Sequence, residues 1–301
     1  MSKELSLILL ITLFLAGPAR ALEVAVVQSS AARPYEELHR EVSQALSDAL
    51  PGRGLKKISN YREYSFLLGA DNPETARQRI KARNTDLIIA IGGPALTAVA
   101  EIKTIPIIAL LVTPNQAAAA RKDGTNIVTF PLKIAPGQAL KAVSERLPQI
   151  RQVGVVYDPE RTGQIIAASR QACPELKLIT RHVTASRQVG KATRELAGRI
   201  DLLWLTPDLT AITPLTEASY LLFSIQEQVP LLAFTPAQLQ HGATFAYVFD
   251  YSAMAKQMAR LAHQIARGVP MARLKAPSYS PGKLLVNEIA LSKLGLEEAR
   301  P

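Results

Sequence analysis

The sequence predicts an α/β protein with two similar lobes, each built around a doubly wound parallel sheet. Short apolar strands alternate with amphipathic helices along almost the whole chain, which is typical of parallel sheets covered by helices on both faces. The segments 87–91 and 105–112 are apolar without alternation, as expected of strands buried on both faces. The third observation is an internal repeat, because TDLIIAIGGPALTAV from Thr85 is echoed by IDLLWLTPDLTAITPLT from Ile200.

The elements follow from these patterns in chain order. In the first half we expect strands at 23–28, 55–61, 87–91 and 105–112, with helices at 35–50 and 73–83. In the second half we expect strands at 151–157, 243–249 and 284–287, and a helix at 251–267 with an apolar face of Met254, Met258, Leu261 and Ile265. Trp204 lies in the middle of an apolar strand and is predicted to be a core residue. Asp250 is predicted to cap the helix that begins at Tyr251.

The repeat divides the chain into two lobes and a returning segment. The N-terminal lobe is expected at 22–128, completed by the helix at about 250–268, and the C-terminal lobe at 129–248, completed by about 269–301. The roughly 280 residues of the mature chain are enough for a substantial core in each lobe.

Residues 1–21 are predicted to be a cleavable secretory signal peptide. Lys3 precedes the apolar stretch 5–16, and Ala19-Arg20-Ala21 has the small-x-small order of a cleavage site. The alternative, a membrane anchor, is disfavoured because the apolar stretch is shorter than the roughly 20 residues that cross a bilayer. No cysteine follows the stretch, so the leader offers no point for lipid attachment. We therefore expect a periplasmic protein.

Charge and composition exclude several classes of protein. The formal net charge is +10, but the basic residues are scattered and lack the interleaved aromatics of single-strand binders, so nucleic acid is not an expected partner. The four histidines, His39, His182, His241 and His263, are dispersed, and no zinc, phosphate-loop, dinucleotide or nucleophile-elbow motif is present. Cys173 is predicted to lie in a helix as a small buried residue. We expect no enzyme, no catalytic residue, no metal and no cofactor.

The expected binding site follows from sheet geometry. In open parallel sheets the carboxyl ends of the strands and the helices that follow them line the ligand crevice, so the two lobes would face each other across a ligand cleft. Gly92 and Gly93 allow close approach of backbone N–H groups, and Pro94 suits the first turn of a helix. The helix start is then a seat for a carboxylate. The alternative is that Gly-Gly-Pro only forms a tight turn.

The candidate ligand-binding residues all follow strand ends. In the first lobe they are Gln28, Ser29, Ser30, Gly92, Gly93, Pro94, Ala95, Thr113 and Asn115. In the second lobe they are Tyr157, Asp158, Thr206, Asp208, Thr235 and Gln238. Asp158 or Asp208 is the candidate partner of a ligand ammonium group. The alternative for both is ordinary helix-cap and turn chemistry.

One long segment resembles a known family. The segment 124–160, GTNIVTFPLKIAPGQALKAVSERLPQIRQVGVVYDPE, resembles the interlobe segment of the tryptophan/tyrosine-type substrate-binding proteins of bacterial ABC transporters, which have a type I periplasmic-binding fold. The turn at 90–95 resembles that family's Ala-Ile-Gly-Thr-Pro-Ala, and 249–251 resembles its Phe-Asp-Tyr before the last long helix. The resemblance covers nearly all of the mature chain.

The resemblance implies capture of a small solute, often an amino acid or related compound, between lobes that close on it. It also implies delivery of the ligand to an ABC permease in the inner membrane. We further expect a monomer. Three positions depart from the family pattern: Gly93 replaces a Thr or Ser, Thr113-Pro114-Asn115 replaces Thr-Asp-Pro, and Phe130 replaces a glycine. The open alternative is a periplasmic ligand-sensing or partner-binding protein of the same fold without a transport role.

Overall fold

The computed structural model describes residues 21–49, 61–123 and 126–296. The chain divides into two compact units, Met1–Lys133 with Asp250–Pro281 (unit 1) and Ile134–Phe249 with Gly282–Pro301 (unit 2). The predicted signal peptide lies, except for Ala21, outside the described residues. Among the described residues, no helix combines the length and apolarity needed to span a membrane.

Unit 1 is a five-stranded parallel sheet with the strand order β2-β1-β3-β4-β5. Its strands are β1 Leu22–Gln28, β2 Tyr61–Leu67, β3 Leu87–Ile91, β4 Ile107–Val112 and β5 Ile127–Pro131. Its helices before the crossing are α1 Arg33–Ala49, α2 Pro73–Ala82, α3 Gly93–Val99 and α4 Pro114–Asp123. Every residue of β3 and β4 is buried, which confirms the prediction from their unbroken apolar sequences.

Unit 2 repeats the same order in a six-stranded sheet, β11-β10-β9-β8-β6-β7. Its strands are β6 Gln152–Tyr157, β7 Lys177–His182, β8 Leu202–Trp204, β9 Leu231–Ala233, β10 Phe245–Phe249 and β11 Gly282–Val286. Its helices are α5 Gln138–Arg146, α6 Pro159–Ala172, α7 Val189–Arg194, α8 Pro214–Gln226, α9 Pro236–Gln240 and α11 Glu288–Lys293. Of the strands described in this sheet, only β11 runs antiparallel to its neighbour, β10.

The returning helix α10, Tyr251–Ala266, belongs to unit 1, where it packs against α1. Met254, Met258 and Leu261 on its predicted apolar face are buried, and Asp250 accepts a hydrogen bond from the Ala253 N–H at 3.1 Å, which confirms the predicted cap. These two parallel-sheet units confirm the predicted fold class. The repeated strand order explains the internal repeat.

The edge strand β2 is the largest difference from the expected elements. The predicted strand at 55–61 falls outside the described residues except for Tyr61, where β2 begins. The sequence of β2, YREYSFL, is polar at most positions, and Phe66 is its one buried residue. An edge strand that is solvated on one side and at its edge carries little hydrophobic signal, so periodicity did not reveal it.

Candidate functional site

The turn after β3 requires glycine at position 92. Gly92 has φ +96°, in the region that L-residues rarely adopt. A Cβ atom on Gly92 would lie 2.5 Å from Ser29 Oγ and 2.6 Å from Tyr35 Cε1. The Gly92 N–H donates to the Leu110 carbonyl at 2.8 Å, so the turn is tied to β4 as well. Backbone conformation and packing therefore both exclude a side chain here.

The start of α3 is partly capped within unit 1. The Ala95 N–H donates to Ser29 Oγ at 2.9 Å, and the Leu96 N–H donates to the Gly92 carbonyl at 3.0 Å. Pro94 has no N–H to offer. Among the described residues this leaves the Gly93 N–H as the one donor of this turn without a partner. Gly93 itself is buried, and the Ser29 hydroxyl lies beside it as the acceptor of the Ala95 N–H.

Gln116, which the sequence analysis did not select, closes over Gly93. A Cβ atom on Gly93 would overlap the side-chain amide of Gln116. Gln116 Oε1 accepts from the Thr113 N–H at 2.9 Å and from Thr113 Oγ1 at 3.0 Å, while the Gln116 N–H donates to Thr113 Oγ1 at 3.3 Å. These bonds form a capping box at the start of α4. Asn115 is exposed in the first turn of the same helix.

Unit 2 has a similar helix start at the equivalent place, after β9, where the Phe234 N–H rather than the N-cap N–H donates to the Gln side chain. Gln238 Oε1 accepts from Thr235 Oγ1 at 3.1 Å and from the Phe234 N–H at 3.2 Å, and the Gln238 N–H donates to Thr235 Oγ1 at 3.2 Å. The sequence Thr-Pro-x-Gln occurs at both places, 113–116 and 235–238, and opens a helix in each unit. A search for Thr followed three residues later by Gln would have identified Gln116.

Gln28 and Ser30 stabilise the turn after β1. The buried Gln28 side chain donates through Nε2 to the Ser30 carbonyl at 2.6 Å, and its Oε1 lies 2.9 Å from His39 Nδ1. Ser30 Oγ accepts from the Ala32 N–H at 3.0 Å. The Gln28 side chain is thus held against α1, and Ser29 is the residue of this turn that reaches the start of α3.

Two carboxylates organise the corresponding edge of unit 2. Asp208, 1% exposed, accepts with one oxygen from the Asp158 N–H and Thr162 Oγ1 at 2.7 and 2.8 Å. Its other oxygen accepts from the Thr210 and Ala211 N–H groups at 2.9 and 3.0 Å. Asp158 caps α6 through the Glu160 N–H at 3.1 Å and accepts from Thr210 Oγ1 at 2.8 Å. Both carboxylates thus make the cap and turn hydrogen bonds that were the alternative to ligand contact.

Two further candidates lie at strand ends in unit 2. Tyr157, the last residue of β6, is buried with its hydroxyl 3.1 Å from His182 Nε2 at the end of β7. Thr206 follows β8 and is fully buried, and its hydroxyl has no hydrogen-bond partner among the described residues. A buried hydroxyl without a partner is costly, so Thr206 is the candidate whose side chain most needs a ligand or water.

The residues that were predicted to be structural are buried. Trp204 is the last residue of β8 rather than a mid-strand residue, and it belongs to the core of unit 2, as predicted. Cys173 is fully buried as predicted, but it is the residue after α6 rather than part of the helix, because the chain turns there towards Pro174. In the part of the chain that the structure describes, no group of three or more His, Cys, Asp or Glu side chains could hold a metal ion.

Cys173 is expected to resist thiol reagents while the protein is folded. Burial, with a smaller contribution from the charge of Glu175, raises the pKa of the Cys173 thiol, so the reactive thiolate is scarcer than usual at pH 8. An aromatic disulfide reagent should label the protein only after guanidinium unfolding, measured as released thiol. The unfolded protein is the positive control, and labelling of folded protein at the unfolded rate would contradict the burial.

Comparisons with known proteins bear on the family and the fold of the chain. A family model described as ABC transporter substrate binding protein matches residues 36–299. A tyrosine-binding protein of Clostridioides difficile (strain R20291) is 22% identical over 263 residues, which cover 83% of this chain and 75% of that protein. The ligand-free, open structure of a substrate binding protein with adhesive properties from Clostridium difficile aligns with a TM-score of 0.71 at 18% identity, over 93% of this chain and 96% of that chain.

A further solved structure, an ABC domain in complex with L-Trp from Streptococcus pneumonia, aligns with a TM-score of 0.51 at 16% identity, over 92% of this chain and 95% of that chain. At these identities the solved structures show a shared fold. The family model spans most of both units. The chain therefore belongs to the family of ABC transporter substrate binding proteins.

Proposed function

We propose that this protein is the periplasmic solute receptor of an ABC transporter. It binds a small amino-acid-like or carboxylate-bearing ligand at the carboxyl edges of its sheets and delivers the ligand to a permease in the inner membrane. The observation that carries the proposal is the repeated topology, which gives each unit a set of helix-opening turns at the same edge of its sheet. The leader predicted at 1–21 supports export to the periplasm.

Neutral donors in unit 1 suit a carboxylate. The Gly93 N–H and the Ser29 hydroxyl lie at the start of α3, and Thr113 is exposed at the start of α4. Within the described part of the chain, no charged side chain takes part in the hydrogen bonds of these turns. Hydrogen bonds from neutral donors to a carboxylate are charge-assisted and stronger than neutral pairs. Because glycine stands at 93 where the family pattern has a hydroxyl, the backbone takes the place of a side-chain donor.

In unit 2 the proposed ligand contacts are Tyr157, Thr206, Thr235 and Gln238, with Asp158 and Asp208 shaping the loops around them. Thr206 is the strongest of these candidates because its hydroxyl lacks a protein partner. The lone pairs of Asp208 are already taken by four donors of its own loops. A ligand ammonium group would have to displace at least one of them.

Thermal unfolding tests the proposal. The mature chain, 22–301, is stripped of ligand by unfolding and refolding and then heated with L-tyrosine, L-tryptophan, small carboxylates, nucleosides or short peptides. A ligand that binds only the folded state stabilises it by about 2.7 kcal/mol at 100 times its dissociation constant. We expect a clear rise in melting temperature with an amino acid or a carboxylate. Absence of any rise in a well-folded protein would contradict transport and favour the sensing or partner-binding alternative.

Thr206→Val makes the test specific to the site. The substitution keeps the side-chain shape and removes a hydroxyl that has no partner, so stability should not fall. We expect a weaker ligand-induced shift. Thr244→Val is the matched control, because Thr244 is also buried but accepts from the Leu231 N–H at 3.2 Å, before β10. That variant should lose stability and keep its ligand shift.

A further inference from the structure

His39 of α1 lies between two hydrogen-bond acceptors. Its Nδ1 is 2.9 Å from Gln28 Oε1, and its Nε2 is 2.9 Å from Glu63 Oε1. Exchanging the positions of the Gln28 amide oxygen and nitrogen would not provide a donor for Nδ1 without loss, because Nε2 already donates to the Ser30 carbonyl at 2.6 Å. A neutral imidazole has one N–H, whereas an imidazolium has two. Both contacts are favourable only when the His39 ring carries two protons.

The side chains around His39 also favour the doubly protonated ring. Glu63 is also the acceptor of Ser43 Oγ at 2.8 Å, and its side chain is 17% exposed. The Ser65 hydroxyl, 3.2 Å from Nε2, is the nearest donor for a neutral ring. If the Ser65 hydroxyl donated to a neutral Nε2, the Glu63 carboxylate would face the lone pair of that nitrogen at 2.9 Å, which is repulsive.

Solvent reaches His39 through a cavity within unit 1. The cavity has a volume of about 680 Å³ and lies between α1 and β2. Apart from His39, the charged side chains that line it are Glu36 and Arg40 of α1 and Asp71 after β2. The His39 side chain is 24% exposed. The ring can therefore exchange its proton with water while unit 1 stays folded.

The hydrogen bond from His39 to Gln28 connects the ring to the turn at 28–30, which belongs to the candidate ligand site. Gln28 ends β1, and the next residue, Ser29, donates its N–H to the Ile91 carbonyl at 3.0 Å and accepts from the Ala95 N–H with its hydroxyl. Gln28 Nε2 holds Ser30 on the other side. The conformation of this turn decides where the Ser29 hydroxyl sits at the start of α3.

We propose that His39 is a positioning residue for the ligand site, acting through Gln28, and that only its protonated form holds the turn at 28–30 in the binding conformation. This inference rests on the proposed function. Loss of the ring proton breaks either the Gln28 bond or the Glu63 bond. Ligand affinity is therefore higher at low pH, where the ring carries two protons, than at high pH, where it carries one.

Two variants distinguish the effect of the ring proton on ligand affinity from the effect of the ring's shape. In His39→Gln both N–H groups lie on one nitrogen and cannot reach the two acceptors that separate ring nitrogens reach, and the side chain does not titrate, so affinity should be low and independent of pH. In Glu63→Gln the new amide donates to Nε2 of a neutral ring, while Ser43 Oγ can still donate to the His39 carbonyl, 3.2 Å away. The Gln28 bond then survives without the extra proton, and affinity should stay high up to pH 8.

The first experiment uses ligand-free protein and nitrogen-15 NMR from pH 5 to 8. We expect the ring nitrogens of His39 to report a doubly protonated ring at pH 5, and the amides of Ser30, Ala32 and Ala95 to shift with the same midpoint. In Glu63→Gln and His39→Gln those amide shifts should vanish. Amides that stay unchanged in the wild-type protein, or that move equally in His39→Gln, would overturn the inference.

The second experiment measures the affinity for L-tyrosine by calorimetry at pH 5 and pH 8. Loss of one hydrogen bond predicts that the wild-type protein binds about threefold to tenfold more weakly at pH 8 than at pH 5. In Glu63→Gln the affinity should be the same at both pH values. Equal pH dependence in both proteins would overturn the inference. If L-tyrosine does not bind but the amides titrate as expected, the choice of ligand in the proposed function is wrong and the role of His39 in the turn stands.

Discussion

Gly92→Ala is expected to lower the free energy of unfolding of unit 1 by about 3 kcal/mol. Gly92 has φ +96°, so any side chain strains the backbone. The new Cβ would also lie 2.5 Å from Ser29 Oγ and 2.6 Å from Tyr35 Cε1. Relief of that overlap would move Ser29 and uncap the Ala95 N–H. Urea unfolding followed by circular dichroism measures the loss as a lower midpoint at unchanged slope.

Gly69→Ala is the matched control for Gly92→Ala. Gly69 has φ +103°, and a Cβ atom there would meet nothing within 4 Å. Its substitution therefore carries the backbone cost alone, about 1 to 2 kcal/mol. The difference between the two variants isolates the contact with Ser29 and Tyr35. Equal losses would show that the backbone conformation alone demands glycine at 92.

Much of the fold could be predicted because burial leaves a direct trace in sequence. β3 and β4 are buried at every position and read as unbroken apolar runs. The repeated stretches after Thr85 and Ile200 mark equivalent strands, β3 and β8, in the two sheets. The edge strand β2 could not be found in this way, since most of its side chains remain in contact with solvent.

The candidate site could be predicted only as a set of positions. Strand ends fix which residues reach the edge of a sheet, but not which way each side chain turns. Gln28 was selected as a strand end, and its amide in fact bonds to His39 and to the Ser30 carbonyl. The partners of these bonds come from separate elements: His39 is bonded to Glu63, which is 24 residues away. Periodicity carries no information about such pairs.

The two Asp residues illustrate the same limit. Asp158-Pro159 and Pro207-Asp208 each fitted both a ligand contact and a cap. The structure shows that Asp208 accepts from the Asp158 N–H and from Thr162, residues about 50 positions earlier in the chain. A pattern confined to a few residues could not reveal that one carboxylate joins two loops.

A surface cap with a single hydrogen bond is the matched control for the substitution of Asp208 by alanine. The exposed side chain of Asn72, at the start of α2, accepts from the Glu74 N–H at 2.8 Å, its single hydrogen bond among the described residues. Asn72→Ala should cost about 1 kcal/mol. The loss of stability in Asp208→Asn should lie between the losses in Asn72→Ala and in Asp208→Ala. The new amide keeps one acceptor oxygen, but its two N–H groups point towards other donors.

Asp208→Ala is expected to destabilise unit 2 by about 4 kcal/mol, measured by urea unfolding. The carboxylate is 1% exposed and accepts four hydrogen bonds, so its removal leaves buried N–H groups without acceptors. If Asp208 instead served mainly to bind a ligand ammonium group, the variant would keep its stability and lose ligand affinity. A loss no larger than that of Asn72→Ala, together with an abolished ligand-induced shift, would contradict the structural role and return Asp208 to the binding site.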